Sequence, residues 1–168
     1  MNRLVLLNIA RFLILLMLQV FVFNHINYVG YVNPFIFLMF VVLLPFETAG
    51  WLLLTSAFLM GLGVDLLTGS LGVHASATTL AAFLRPTILH QLMPKLEKNS
   101  TVQPGISFMG MPTFTLYTAI LVFIHHFAFF TIESWSFSEI GYTLLRTLFS
   151  GFFTVLFIVL LDFIFRKK

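Results

Sequence analysis

Asp65 and His74 stand nine residues apart in GLGVDLLTGSLGVH, residues 61–74. A carboxylate and an imidazole are common proton-transfer groups, and both ligate metals. Further histidines lie at 25, 125 and 126. His25, His74, one of the 125/126 pair and Asp65 all fall on the outer side of the topology that hydropathy implies, and in principle could make a zinc site. No i, i+4 ligand spacing supports one. His125 and His126 are adjacent, so on a helix they splay by about 100° and cannot both face one metal. Hydrogen-bonded packing histidines account for the pattern better. The chain has no GxGxxG (Gly61 and Gly63 are followed by Leu66), no phosphate-loop lysine pattern and no HExxH. It has no cysteine, which removes disulfides, thiolate catalysis and cysteine metal sites. No serine, histidine and acid arrangement suggests hydrolysis. The residues point to no cofactor and to a protein that is not an enzyme.

The solvent explains more than the motifs do. Of 168 residues, 60% are hydrophobic and 9% charged, with a mean hydropathy of +1.03. A soluble domain carries about 25% charged residues, so this chain is expected to be an integral membrane protein. The net charge of +3 does not imply nucleic acid, because the cations form no soluble patch. The 22 phenylalanines read as lipid-facing. The opening run MNRLVLLNIARFLILLMLQVF carries Arg11 inside it and no prompt small-x-small site, so it is expected to be a retained first helix.

Six spans fit, at about 4–23, 32–46, 50–67, 72–92, 112–131 and 142–165, since a span needs about 20 mostly apolar residues. The apolar stretch of the second, between Pro34 and Pro45, covers only about 18 Å alone and must borrow flanking residues or sit in a protein-lined region. The chain reads as one all-α domain, a polytopic six-helix bundle. The long connector 94–111 is rich in turn residues and reads as irregular. With both termini cytoplasmic, Arg3, Lys95, Lys98, Arg166, Lys167 and Lys168 all lie inside and the outer loops hold no Lys or Arg. That asymmetry fixes the expected orientation. In a bacterium the membrane would be the inner one.

Ionisable groups at bilayer depth are costly and should face protein or water. Depth alone suggests Asp65 with Arg146 on the outer side, and Arg11 or Arg85 with Glu47 or Asp162 on the inner side. Snorkelling to the headgroups is the competing fate for Arg146. Ala57, Gly61 and Asp65 share one helix face, built for close approach of a neighbour. His74, Thr78, Ala81 and Arg85 form a second stripe, Asn8, Arg11 and Gln19 a third, and Thr115, Thr118 and His125 a fourth. Gly69 and Gly72 permit a tight reversal, with Ser70 or Thr68 available to cap the next helix.

Six short helices with both ends inside, together with GLGVDLLTGSLGVHASATTLAAFLRP, resemble the rod-shape-determining MreD family of bacterial membrane proteins. The signature is Gly61 and Asp65 on the third helix, Gly69 and Gly72 in the turn, and a fourth helix of small residues. Its specific part covers residues 61–86. The resemblance implies a non-catalytic subunit of the cell-elongation machinery, held in the inner membrane with its lipid. It would associate with the single-span protein MreC, with the glycosyltransferase RodA and its penicillin-binding transpeptidase, and indirectly with MreB filaments. It implies a fold like that of the substrate-binding component of energy-coupling-factor (ECF) transporters. A component of that kind, taking a vitamin or a metal, is the alternative function.

Overall fold

The computed structural model describes residues 3–25, 32–94, 102–135 and 140–165. Among these the chain is helical and contains no strand. The helices are α1 (Arg3–Phe21), α2 (Leu38–Val42), α3 (Gly50–Thr68), α4 (Val73–Leu92), α5 (Ile106–Met109), α6 (Met111–Ser134) and α7 (Ile140–Ile164). Among the described residues four segments are long and apolar enough to cross a membrane: Val5–His25, Gly50–Thr68, Met111–Ser134 and Ile140–Ile164. The chain therefore has the character of an α-helical membrane protein. Helix α4 matches α3 in length, but His74, Arg85, His90 and Gln91 make it less apolar than those four. By length and hydropathy alone, four of the six expected spans qualify among the described residues.

The second expected span, 32–46, is not a continuous helix. Only Leu38–Val42 is α-helical, and every residue from Phe35 to Leu44 is buried. The reason lies in its two prolines. Pro34 and Pro45 bound a stretch too short to cross, so the chain enters and leaves it in irregular backbone. Such backbone survives at membrane depth only where protein supplies its hydrogen bonds. This segment runs through the middle of the bundle instead of along its lipid face.

Helix α3 packs on α4, α4 on α6, and α6 on α7, while α1 lies against α3 and α2. Helices α1, α3 and α6 run toward the α3–α4 turn, and α4 and α7 run back. The turn end gathers Phe21, Thr68, His74 and Glu133, and the far end gathers Gly50, Arg85 and His90. The connector 94–111 is not wholly irregular. Residues 102–110 include α5 and close the far end: Phe46 N–H donates to Val102 O, Arg11 to Gln103, and Ile106 N–H to Asp162. Residues 95–101, with Lys95 and Lys98, lie outside the described residues, as do Arg166, Lys167 and Lys168.

The close approach of α3 and α4 rests on Gly61. A Cβ there would lie 2.6 Å from both Ala75 Cα and His74 O, which are main-chain atoms that cannot swing aside. Ala57, one turn earlier, is fully buried on the same face. Gly61→Ala is expected to wedge the pair apart and cost about 1–3 kcal/mol, read as a lower melting temperature of the detergent-solubilised protein. Gly50→Ala is the control, since its Cβ would meet nothing within 4 Å.

The phenylalanines divide, contrary to a purely lipid-facing reading. Phe21, Phe83, Phe152 and Phe165 face outward, whereas Phe35, Phe37, Phe114 and Phe130 are core. Phe35 is the hub. Its ring lies 5.1 Å from that of His74, 4.8 Å from His126 and 4.8 Å from Phe129.

Candidate functional site

The turn end carries the densest polar cluster. Helix α3 closes on Gly69 in the left-handed conformation (φ 75°), and Gly72 repeats it (φ 84°) just before α4. Glycine takes these conformations without a Cβ penalty. Gly72 has no side chain with which to cap α4, and neither Ser70 nor Thr68 does so. Asp65 does. Its Oδ1 accepts the His74 main-chain N–H at 3.1 Å and its Oδ2 accepts that of Ala75 at 2.8 Å. These are the second and third amides of α4, two of the four that a helix start leaves unpaired. The carboxylate also accepts Ser70 Oγ–H at 2.7 Å and His74 Nδ1–H at 3.0 Å. A negative charge at a helix start is favourable in its own right. Asp65 thus caps, from one helix, the beginning of the next.

That arrangement overturns the expected Asp65–Arg146 pair. Arg146 instead donates to Glu133 at 2.7 Å and lies over the Phe130 ring, 4.2 Å from its centroid. Depth alone could not choose between the partners, because Asp65 is saturated by donors close in sequence. The Glu133 side chain is 42% exposed, so this pair is solvent-screened. Glu133→Gln is expected to lower stability by less than about 1 kcal/mol, measured by thermal melting in detergent.

Beside the turn a cleft of about 600 Å³ opens between α1, residues 33–35, α3, α4 and α6. Its polar lining includes Asn24, His25, Asn33, Ser70, His74 and Glu133. His74 Nδ1 is held by Asp65, which leaves Nε2 as the remaining hydrogen-bonding atom of the ring. His125 and His126 tie helices together. His125 Nε2 meets Thr78 of α4 at 3.2 Å, and His126 Nε2 meets Thr154 of α7 at 3.2 Å. The pair splays as helical geometry requires, each ring tying α6 to a different neighbour. Among the described residues, no three His, Cys, Asp or Glu side chains gather to hold a metal.

The interior polar groups mainly serve the broken segment 33–45. At its start, Asn33 N–H donates to Ser150, Phe35 N–H to Thr154 and Phe37 N–H to Gln19, while Gln19 Nε2 donates to Pro34 O. At its end, Tyr117 O–H donates to Val42 O, Arg11 to Leu43 O, and Arg85 Nη2 to Leu44 O and Pro45 O. Arg85 Nε also donates to Tyr117 Oη at 2.9 Å. Both arginines are therefore hydrogen-bonded to neutral groups, although Arg11 also feels the attraction of the Asp162 carboxylate, one of its expected partners. Among the described residues neither Arg11 nor Arg85 forms an ion pair. Glu47 is exposed, and Asp162 accepts the Ile106 N–H.

The stripe His74, Thr78, Ala81 and Arg85 is buried along its whole length. Sequence reasoning passed over Tyr117, Ser150 and Thr154. A signal for them existed. A proline-bounded segment too short to span implies loose carbonyls and amides at bilayer depth, and hence hydroxyl or guanidinium partners on the surrounding helices.

Comparison of the chain with models of known families, with curated proteins and with solved structures finds no match in any of the three.

Proposed function

We propose that this chain is a non-catalytic, MreD-like subunit of the bacterial cell-elongation complex, a rigid membrane scaffold for MreC, RodA and the penicillin-binding transpeptidase. In this reading it crosses the inner membrane six times, with α4 and residues 32–46 completing the four apolar spans and both termini cytoplasmic. The resemblance over residues 61–86 and the one-sided Lys and Arg support it. So does the placement of the first and last helices, with Arg11 bound to Gln103 and Asp162 to Ile106 at the same end. The observation that carries the non-catalytic part is the Asp65 carboxylate, occupied by four donors as a cap on α4. Co-purification with MreC from detergent, and loss of rod shape on depletion, are the expected results. Normal cell width and shape after depletion would overturn the reading.

The 600 Å³ cleft at the turn end favours a second reading, the substrate-binding component of an ECF-type transporter. A ligand there raises thermal stability by RT ln(1 + [L]/Kd). A saturable rise with one vitamin or metal would establish it, and a flat response across a panel would remove it.

A further inference from the structure

We propose that the cleft at the far end of the bundle binds a phosphate group, that of an ethanolamine phospholipid at the membrane boundary. The cleft holds about 540 Å³ between residues 46–50 and the last two turns of α4. It is separate from the turn-end cleft and independent of the function proposed above.

Three observations meet there. The first is Arg85, which lines the cleft although the residue is only 1% exposed. Its Nε is given to Tyr117 and its Nη2 to the Leu44 and Pro45 carbonyls. Nη1 has no hydrogen-bond partner among the described residues. A guanidinium is thus fixed in place by neutral groups, with one nitrogen unspent and no carboxylate paired to it. The second is the start of α3 on the same cleft. Ala49 offers no side-chain cap, and the first hydrogen bond into the helix is Leu53 N–H to Ala49 O. The amides of residues 50–52 are left unpaired among the described residues, at the positive end of a 19-residue helix. Arginine and an uncapped helix start both suit phosphate oxygens. The third is position. Helix α3 is one of the four apolar spans, so its first residues lie where hydrocarbon gives way to headgroups. Trp51, 72% exposed, suits that level.

Glu47 decides among phosphate compounds. It is exposed and is the only acidic side chain lining the cleft among the described residues. It opposes a bare phosphate but complements an ammonium group next to one. Phosphate on Arg85 and the α3 amides, with ammonium on Glu47, is the charge pattern of an ethanolamine headgroup. Free phosphate shares the first half of that chemistry.

The test is thermal melting of the purified full-length protein in detergent with four probes: dioctanoyl phosphatidylethanolamine, dioctanoyl phosphatidylcholine, dioctanoylglycerol and inorganic phosphate. Phosphatidylethanolamine is expected to stabilise saturably and more strongly than phosphatidylcholine, whose quaternary ammonium cannot hydrogen-bond to Glu47. Dioctanoylglycerol is expected to be inert. Arg85 also holds the fold, so the informative variant is Ala49→Asp. Its carboxylate caps α3 and keeps the unliganded protein at least as stable as the wild type, yet occupies the phosphate position. Ala49→Asp is expected to lower phosphatidylethanolamine affinity at least tenfold. Stabilisation by inorganic phosphate alone would uphold the phosphate site and assign its source to the aqueous phase. Equal responses to phosphatidylethanolamine and dioctanoylglycerol, no response to any probe, or undiminished binding by Ala49→Asp would overturn the proposal.

Discussion

Replacing Arg85 with leucine is expected to destabilise the protein even though it removes a buried charge. Two acceptors would lose their donor, Leu44 O and Tyr117 Oη, whereas Pro45 O would keep the Thr48 hydroxyl and amide. Each stranded acceptor costs about 1–3 kcal/mol. Removing a charge from bilayer depth returns about 2.5–3.5 kcal/mol at most, and Arg85 regains less because it already borders a cleft. The loss wins, by about 1 kcal/mol at the middle of those ranges. For a chain of this size that is a fall in melting temperature of about 2–4 °C. Arg85→Lys keeps a charge and some donors but cannot fork between Tyr117 and the carbonyls, so it should fall between. A leucine variant that melts with the wild type would show that the end of the broken segment is held by something else.

Asp65 gives the second large effect, and asparagine is its sharpest test. An asparagine side chain would have the right shape, but its amide would turn N–H groups toward a site that already contains four donors. Asp65→Asn is therefore expected to cost about as much as Asp65→Ala, roughly 2–3 kcal/mol, from the loss of charge-assisted bonds and a helix cap. Because Arg146 pairs with Glu133 and not with Asp65, the double variant Asp65→Ala/Arg146→Ala should show additive losses in melting experiments. Coupling between them, or rescue by exchanging the two charges, would restore the pairing that depth alone suggests.

These two residues show how far the sequence could be read. Spacing places Ala57, Gly61 and Asp65 on one face and His74, Thr78, Ala81 and Arg85 on another, and the left-handed glycines mark the turn between them. Period and glycine chemistry are local properties, written in the residues themselves. The partners were not legible in the same way. Depth analysis matches charges with charges, but besides Asn8, Gln103 and Tyr117 the groups that occupy Arg11 and Arg85 are main-chain carbonyls, which carry no letter in the sequence. They become visible only when Pro34 and Pro45 are taken to break the segment between them. The Asp65 cap was hidden for a related reason. Capping is usually sought within the four residues before a helix, and this carboxylate comes from the preceding one.

The interior placement of residues 33–45 bears on how the molecule is put together. The two amides at its start are held by Ser150 and Thr154, 117 and 119 positions later in the chain. While a ribosome is still producing the intervening residues, those amides have no native partner, and the segment is too short to rest across a bilayer alone. The centre of the protein is therefore locked by α7, which emerges more than a hundred residues after the segment it holds. Completion of the core is a late step in biogenesis, and the irregular entry at Phe35 must remain sheltered until α7 arrives to receive it.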